Sequence, residues 1–374
     1  MRGWNCAAAG MIAFVCMGKS CSIPVEQLER ELENIFFQYQ LSEIDAPEYA
    51  SCYEAKWYET DEEMLKTLMT MQITGEGDNA FGRTIYAERA DVNADAYSRE
   101  VLTIYENGAE SGIYGGFSYA LFENNGEASN NYSCQVAVNS WHAGIVEQLY
   151  GYENRADFQT NVSLGFKDLQ DAVKYVEELN SELTDIDIEV DVVYALDVKT
   201  LEEHGKIYVE RHPDADAKMA EKEAYLIYGS QIINGIPLVN HKWNESVQNV
   251  IAETRIQALI SEDGLNQLLM WGAVEVIEEG EEEALLSPQA AEELLIKNLQ
   301  KQINVTPVYI ESMELNYVIY VKKEELQLIP AWIFCIAREK EWEDPDNGEL
   351  VTIKEYEHFV VNAVTGEQML TAVE

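Results

Sequence analysis

Basic side chains are scarce in this chain. Its 25 lysines and arginines stand against 68 aspartates and glutamates, a formal net charge of -43 at pH 7. Such a field repels a duplex or an anionic lipid surface, and no local cluster of Lys and Arg offsets it. Nucleic acid is therefore excluded as a partner. Histidine is scarcer still, with 5 copies: His142, His204, His212, His241 and His358. None forms HExxH, and no two stand four apart on one helix, so the zinc-protease pattern is missing. The 6 cysteines contain no CxxC pair, which excludes a zinc ribbon. Cys52, Cys134 and Cys335 are far apart and read as buried free thiols; a Cys52–Cys134 disulfide is the alternative in an exported protein. There is no phosphate-binding loop and no GxGxxG. The nearest text to a nucleophile elbow, Gly115-Gly116-Phe117-Ser118, lacks its closing glycine. No catalytic residue, metal site or cofactor is expected. Carboxylates are so abundant that any glycosidase-like pair of them is uninformative.

What is present describes a globular chain. Hydrophobic residues make up 47% and aromatics 10%, with 21 tyrosines, which favours β-structure with half-wet faces. At 374 residues the chain has room for two or three domains. The opening MRGWNCAAAGMIAFVCMGKSC has Arg2, an apolar run from Cys6 to Met17, and a small, polar exit. The run is shorter than the roughly 20 apolar residues of a membrane span and has the length of a signal peptide; a buried core helix is the bland alternative.

Periodicity divides the rest. Residues 1–22 read as a leader and 23–80 as a helical segment, with an amphipathic helix from Val25 to Tyr39 and a short one near Met64 capped by Thr60 or Asp61. Residues 81–160 read as mostly antiparallel β. Residues 161–285 read as a middle α+β unit, with a helix from about Gly165 and turns at Asn234-Gly235 and Asp263-Gly264. The run Glu278 to Glu283 reads as a solvated linker. Residues 286–374 open with a Ser287 cap and Pro288 at the first helical position, and continue as strands. The expected fold class is α+β: antiparallel sheets, each covered by helices.

The last unit carries a resemblance. SPQAAEELLIKNLQ, ELNYVIYVKKEELQLIPAWIFCIARE and FVVNAVTGEQM are similar to PepSY-like modules and to the secreted accessory regulators of the WalK sensor kinase. Pro330-Ala331-Trp332 and Asn362-Ala363-Val364-Thr365-Gly366-Glu367 carry the likeness. At full length the chain resembles uncharacterised exported lipoproteins of gut Firmicutes, and the leader resembles a lipoprotein signal. That resemblance implies a C-terminal PepSY-like helix-plus-sheet unit, lipidation at Cys21 and an extracytoplasmic, membrane-anchored location. It implies a non-enzymatic role, binding or regulating a protein or peptide partner outside the membrane.

Two alternatives rest on residues. Trp57-Tyr58, Trp141-His142, Trp243, Trp271, Trp332 and Trp342 would line a groove in a carbohydrate-binding protein or hydrolase. Asp344, Asp346 and Glu355 fall at positions one, three and twelve of a calcium loop, but glycine is misplaced at position five, and a hairpin turn at Asp346-Asn347-Gly348 is the better reading. Within the closing turn, Gly366 is expected to supply a left-handed conformation and Asn362 to brace the corner by local hydrogen bonds.

Overall fold

The computed structural model describes residues 34–79, 82–90, 96–105, 115–125, 158–202, 222–240, 250–251, 254–301, 306–322, 325–343 and 350–369. The leader with Cys21, Cys134, Trp141-His142, His204, His212, His241, Trp243 and the stretch with Asp344 and Asp346 lie outside the described residues.

Two sheets organise the chain. The first runs β1 (Ile35–Phe37), β15 (Val308–Lys322), β16 (Glu325–Glu343), β2 (Tyr49–Trp57), β14 (Val274–Ala284). Two further strands branch from it: β11 (Val250–Ile251) on β15 and β17 (Leu350–Asn362) on β16. The second sheet runs β3 (Ile73–Asn79), β4 (Gly82–Ala90), β5 (Ala96–Tyr105), β6 (Phe117–Asn125), β13 (Gly264–Trp271), β12 (Arg255–Ser261), β9 (Ala224–Ile233), β8 (Ile188–Leu196), β7 (Gln159–Thr160). β10 (Ile236–Pro237) pairs back on β9. Pairing is antiparallel except for β1 on β15 and a single bridge from Leu238 to Tyr317. Every residue of β12, and nine of the ten in β9, is buried, because these central strands are covered on both faces.

The antiparallel sheets agree with the expected class, but the balance is mostly β. Among the described residues two helices exceed two turns: α2 (Leu169–Leu183) on the second sheet and α3 (Pro288–Leu299) on the first. At 15 residues α2 is roughly 22 Å long, while nine hydrogen-bonded strands side by side span roughly 40 Å. One helix cannot cover such a sheet. The helix expected from Val25 to Tyr39 is corrected at its C-terminal end, where Ile35–Phe37 is a strand; residues 25–33 lie outside the described residues. Among the described residues of 23–80 the helical part is α1 (Glu62–Leu65) and short 3-10 turns. The acidic run 278–283 is not a linker but part of β14.

Local signals held. Asp61 accepts from the Glu63 and Met64 amides and Ser287 from Ala290, each capping its helix as expected; Asp168, one residue ahead of α2, caps that helix by accepting from Gln170. Asn234 and Gly235 both take positive φ (49° and 81°) in the β9–β10 turn. In the middle unit α2 is followed by β8, a helical turn from Val198, and β9.

The two sheets interlock. The β9–β10 hairpin leaves the second sheet and buries Ile233, Ile236 and Leu238 in the core of the first. That core also holds Trp332, Phe334 and Val361, with Ala291, Leu295 and Leu299 from α3 above them. The unit 286–374 therefore completes its sheet with β1 and β2 from far upstream in the chain and with β14, which immediately precedes it.

Pro330 marks a change of partner along β16. Leu326 to Leu328 pair with β2, and from Ala331 onward the same edge pairs with β17. The Pro330 carbonyl accepts from Ala363 on that edge, so its missing N–H falls at the gap between the two partners, where no ladder bond is lost.

Candidate functional site

The closing turn is structural. Asn362 Oδ1 accepts from the Val364 amide at 2.9 Å and the Thr365 amide at 3.0 Å. The Gly366 amide donates to Asn362 O (2.9 Å), and Gly366 has φ 76°. Asn362 braces the corner and Gly366 supplies the left-handed residue, as the sequence implied.

The aromatic alternative loses its central member. Trp332 is fully buried and donates through Nε1 to Leu286 O at 2.9 Å. Trp57 packs against the first core, and Trp271 lies under the Arg255 guanidinium at 4.8 Å. Cys52 and Cys335 are half-buried free thiols, and burial pushes the Cys52 pKa up. His358 lies on β17 opposite Cys335. Glu355, twelfth in the calcium-like stretch, is paired instead with Lys340 at 3.1 Å, and β17 starts with Leu350 opposite Glu343, so residues 344–349 join two paired strands. No group of three or more metal-binding side chains occurs among the described residues.

Buried carboxylates serve the fold. Glu100 is 1% exposed and accepts from the Thr70 amide (3.0 Å) and hydroxyl (2.7 Å), the Met71 amide (2.9 Å) and the Tyr119 hydroxyl (3.2 Å). It pins the segment after α1 to β5. Four donors satisfy the acceptor oxygens of this buried side chain.

The feature best suited to a partner is the β2–β14 ribbon. β14 ends the first sheet, and among the described residues no strand pairs with its outer edge. Val274 is buried, and every residue from Glu275 to Ala284 is exposed. Glu275, Glu278, Glu279, Glu281, Glu282 and Glu283 fringe it, and Ile277 is 60% exposed. Two register shifts bend it, between Val276 and Glu278 and between Glu279 and Glu282. Gly280 sits at the second bend, where a Cβ would come 2.9 Å from Cys52 O.

The ribbon is anchored on its inner side. Ser51 Oγ donates to Glu279 Oε1 at 3.1 Å, and Tyr317 Oη donates to Ser51 O at 2.9 Å. Lys56 pairs with Glu275 at 3.0 Å. β14 thus presents an acidic row of unpaired backbone donors and acceptors on a fixed support. Such an edge repels a second acidic copy and admits an extended cationic segment. The acidic run was visible in the sequence; its being an edge was not.

No protein-family model and no curated protein matches the chain. A crystal structure of an uncharacterized protein from Eubacterium rectale ATCC 33656 is similar in fold, with a TM-score of 0.58 and 15% identity over 91% of this chain and 92% of that one. At that identity the likeness concerns the fold. No helix among the described residues is long and apolar enough to cross a membrane.

Proposed function

We propose that this is a non-enzymatic, extracytoplasmic binding protein that recruits a cationic, extended segment of a protein or peptide partner by strand addition along β14. The open, acidic, exposed edge of that strand carries the reading. Main-chain hydrogen bonds would supply affinity, and the glutamate fringe selects for Lys- or Arg-bearing segments. The order α3–β15–β16–β17 supports a PepSY-like C-terminal unit of the kind found in envelope regulators. The leader supports export and a lipid anchor at Cys21.

A peptide of alternating Lys and Val tests the edge directly. It is titrated against the full chain beside a copy methylated on alternate backbone nitrogens, which keeps the charge but cannot complete a ladder. Binding of the first and not the second, weakened by salt, is the expected result. Equal binding of both would refute strand addition. Palmitate-analogue labelling of wild type and Cys21→Ala tests the anchor, and equal label in both removes Cys21 as the lipid site.

A further inference from the structure

The carboxyl of Glu292 stands apart from the solvated acids around it. It is 8% exposed, on the face of α3 that meets the first sheet. The segment from Ile35 to Ile44 crosses over it. β1 binds that segment to β15 through three parallel pairs, with Asn34 O accepting from the Val308 amide (2.7 Å) and the Gln38 amide donating to Ile310 O (2.8 Å). Tyr39, Leu41 and Ile44 then pack against the same core as α3. The Tyr39 hydroxyl donates to Glu292 Oε2 at 2.9 Å.

We propose that Glu292 and Tyr39 form a pH-sensitive latch that holds the strap Ile35–Ile44 across α3 and on the edge of β15. A carboxyl covered by apolar side chains prefers to be neutral, and one hydroxyl donor does not replace the water it gave up. Desolvation pushes the Glu292 pKa up to about 7 from 4.5; Tyr39 pulls it partly back, and the neighbouring Glu293 adds to the rise. Lys297, one turn on, reaches Glu293 (3.9 Å). Glu43 of the strap and Asp45 just beyond it are exposed to solvent, and the core beneath is apolar, with Ile310, Phe334 and Ile336. When Glu292 ionises, water competes with the strap for it. Lifting the strap hydrates the carboxylate and unpairs β1, which opens a second strand edge on β15.

Hydrogen exchange of the full chain, corrected for intrinsic rates, reads the latch at residues 34–44. Opening of the strap should rise up to about tenfold per pH unit between roughly pH 5 and 7, then level off, while β12 stays protected. Glu292→Gln should flatten that dependence. Tyr39→Phe removes a hydrogen bond that favours the ionised form, so its plateau should begin at higher pH. Exchange in the strap that is independent of pH in the wild type, or the same dependence in Glu292→Gln, would overturn the proposal. So would an unmoved plateau in Tyr39→Phe.

Discussion

Gln231 and Val274 join the two sheets by a reciprocal pair of hydrogen bonds. The Gln231 side chain donates from Nε2 to Val274 O at 2.7 Å and accepts from Val274 N at Oε1 at 3.0 Å. Both residues are buried, one on β9 of the second sheet and one at the start of β14 in the first. An amide side chain here does what a strand partner does elsewhere: it satisfies one backbone donor and one acceptor.

Removing it leaves two buried backbone groups unpaired. Gln231→Ala is expected to cost about 2–6 kcal/mol, since each such orphan costs about 1–3 kcal/mol. Urea unfolding followed by tryptophan fluorescence measures the change. A loss within 0.5 kcal/mol of zero, by the scale of an ordinary surface substitution, contradicts the role assigned to the clamp.

Glu100→Gln tests the buried carboxylate. A Gln side chain keeps one acceptor oxygen but turns its NH2 toward either the Thr70 or the Met71 amide, donor against donor, where Glu accepted from both. A loss of about 2–3 kcal/mol is expected. Faster proteolysis near Thr70 should accompany it.

The closing turn makes a third case. At φ 76° Gly366 carries no Cβ penalty, and an added Cβ would meet Leu286 and Leu294 only at ordinary contact distances, 3.4 and 3.5 Å. The expected cost of Gly366→Ala is therefore conformational, about 1–2 kcal/mol. A larger loss from Gly366→Val than from Ala is expected because branching adds crowding. Equal stability of wild type and Ala, in thermal unfolding, would show that the turn relaxes to another shape.

Glu292 sets a sign for pH dependence. Its folded pKa lies above its unfolded value, so its contribution is full below about pH 4.5 and is lost as pH rises through about 7. Glu292→Gln is expected to match wild type near pH 4 and to exceed it by about 2 kcal/mol at pH 8. Denaturant melts at the two pH values decide this.

Charge on β14 governs self-association. Replacing Glu278, Glu281, Glu282 and Glu283 with Gln removes the repulsion that keeps an exposed edge from pairing with another copy. Light scattering should show dimers or larger species in the variant and monomer-sized particles in wild type under the same conditions.

The outcome at particular residues separates what each level decides. Ser287, Asp168, Asp61, Asn234-Gly235 and Asn362…Gly366 behave as their local chemistry requires, because a cap or turn is satisfied within a few residues of itself. Ile35 to Phe37 do not. Their three- and four-residue spacing suits a helix, yet the edge of β15, more than 250 residues away, offers hydrogen bonds and a core that the segment cannot make alone. The acidic strand is the same case, and with it the candidate binding edge: the five glutamates of 278–283 read as solvated chain until β2 supplies a partner.

By itself, then, the sequence determined the anionic character, the capped helices, the tight turns and the strand-rich C-terminal unit, all of them set by composition or by contacts between near neighbours. Tertiary structure alone decided which strand ends the sheet, which glutamate loses its water and how β9 plugs one sheet into the other. Those depend on partners distant along the chain, and on burial that no single segment can specify.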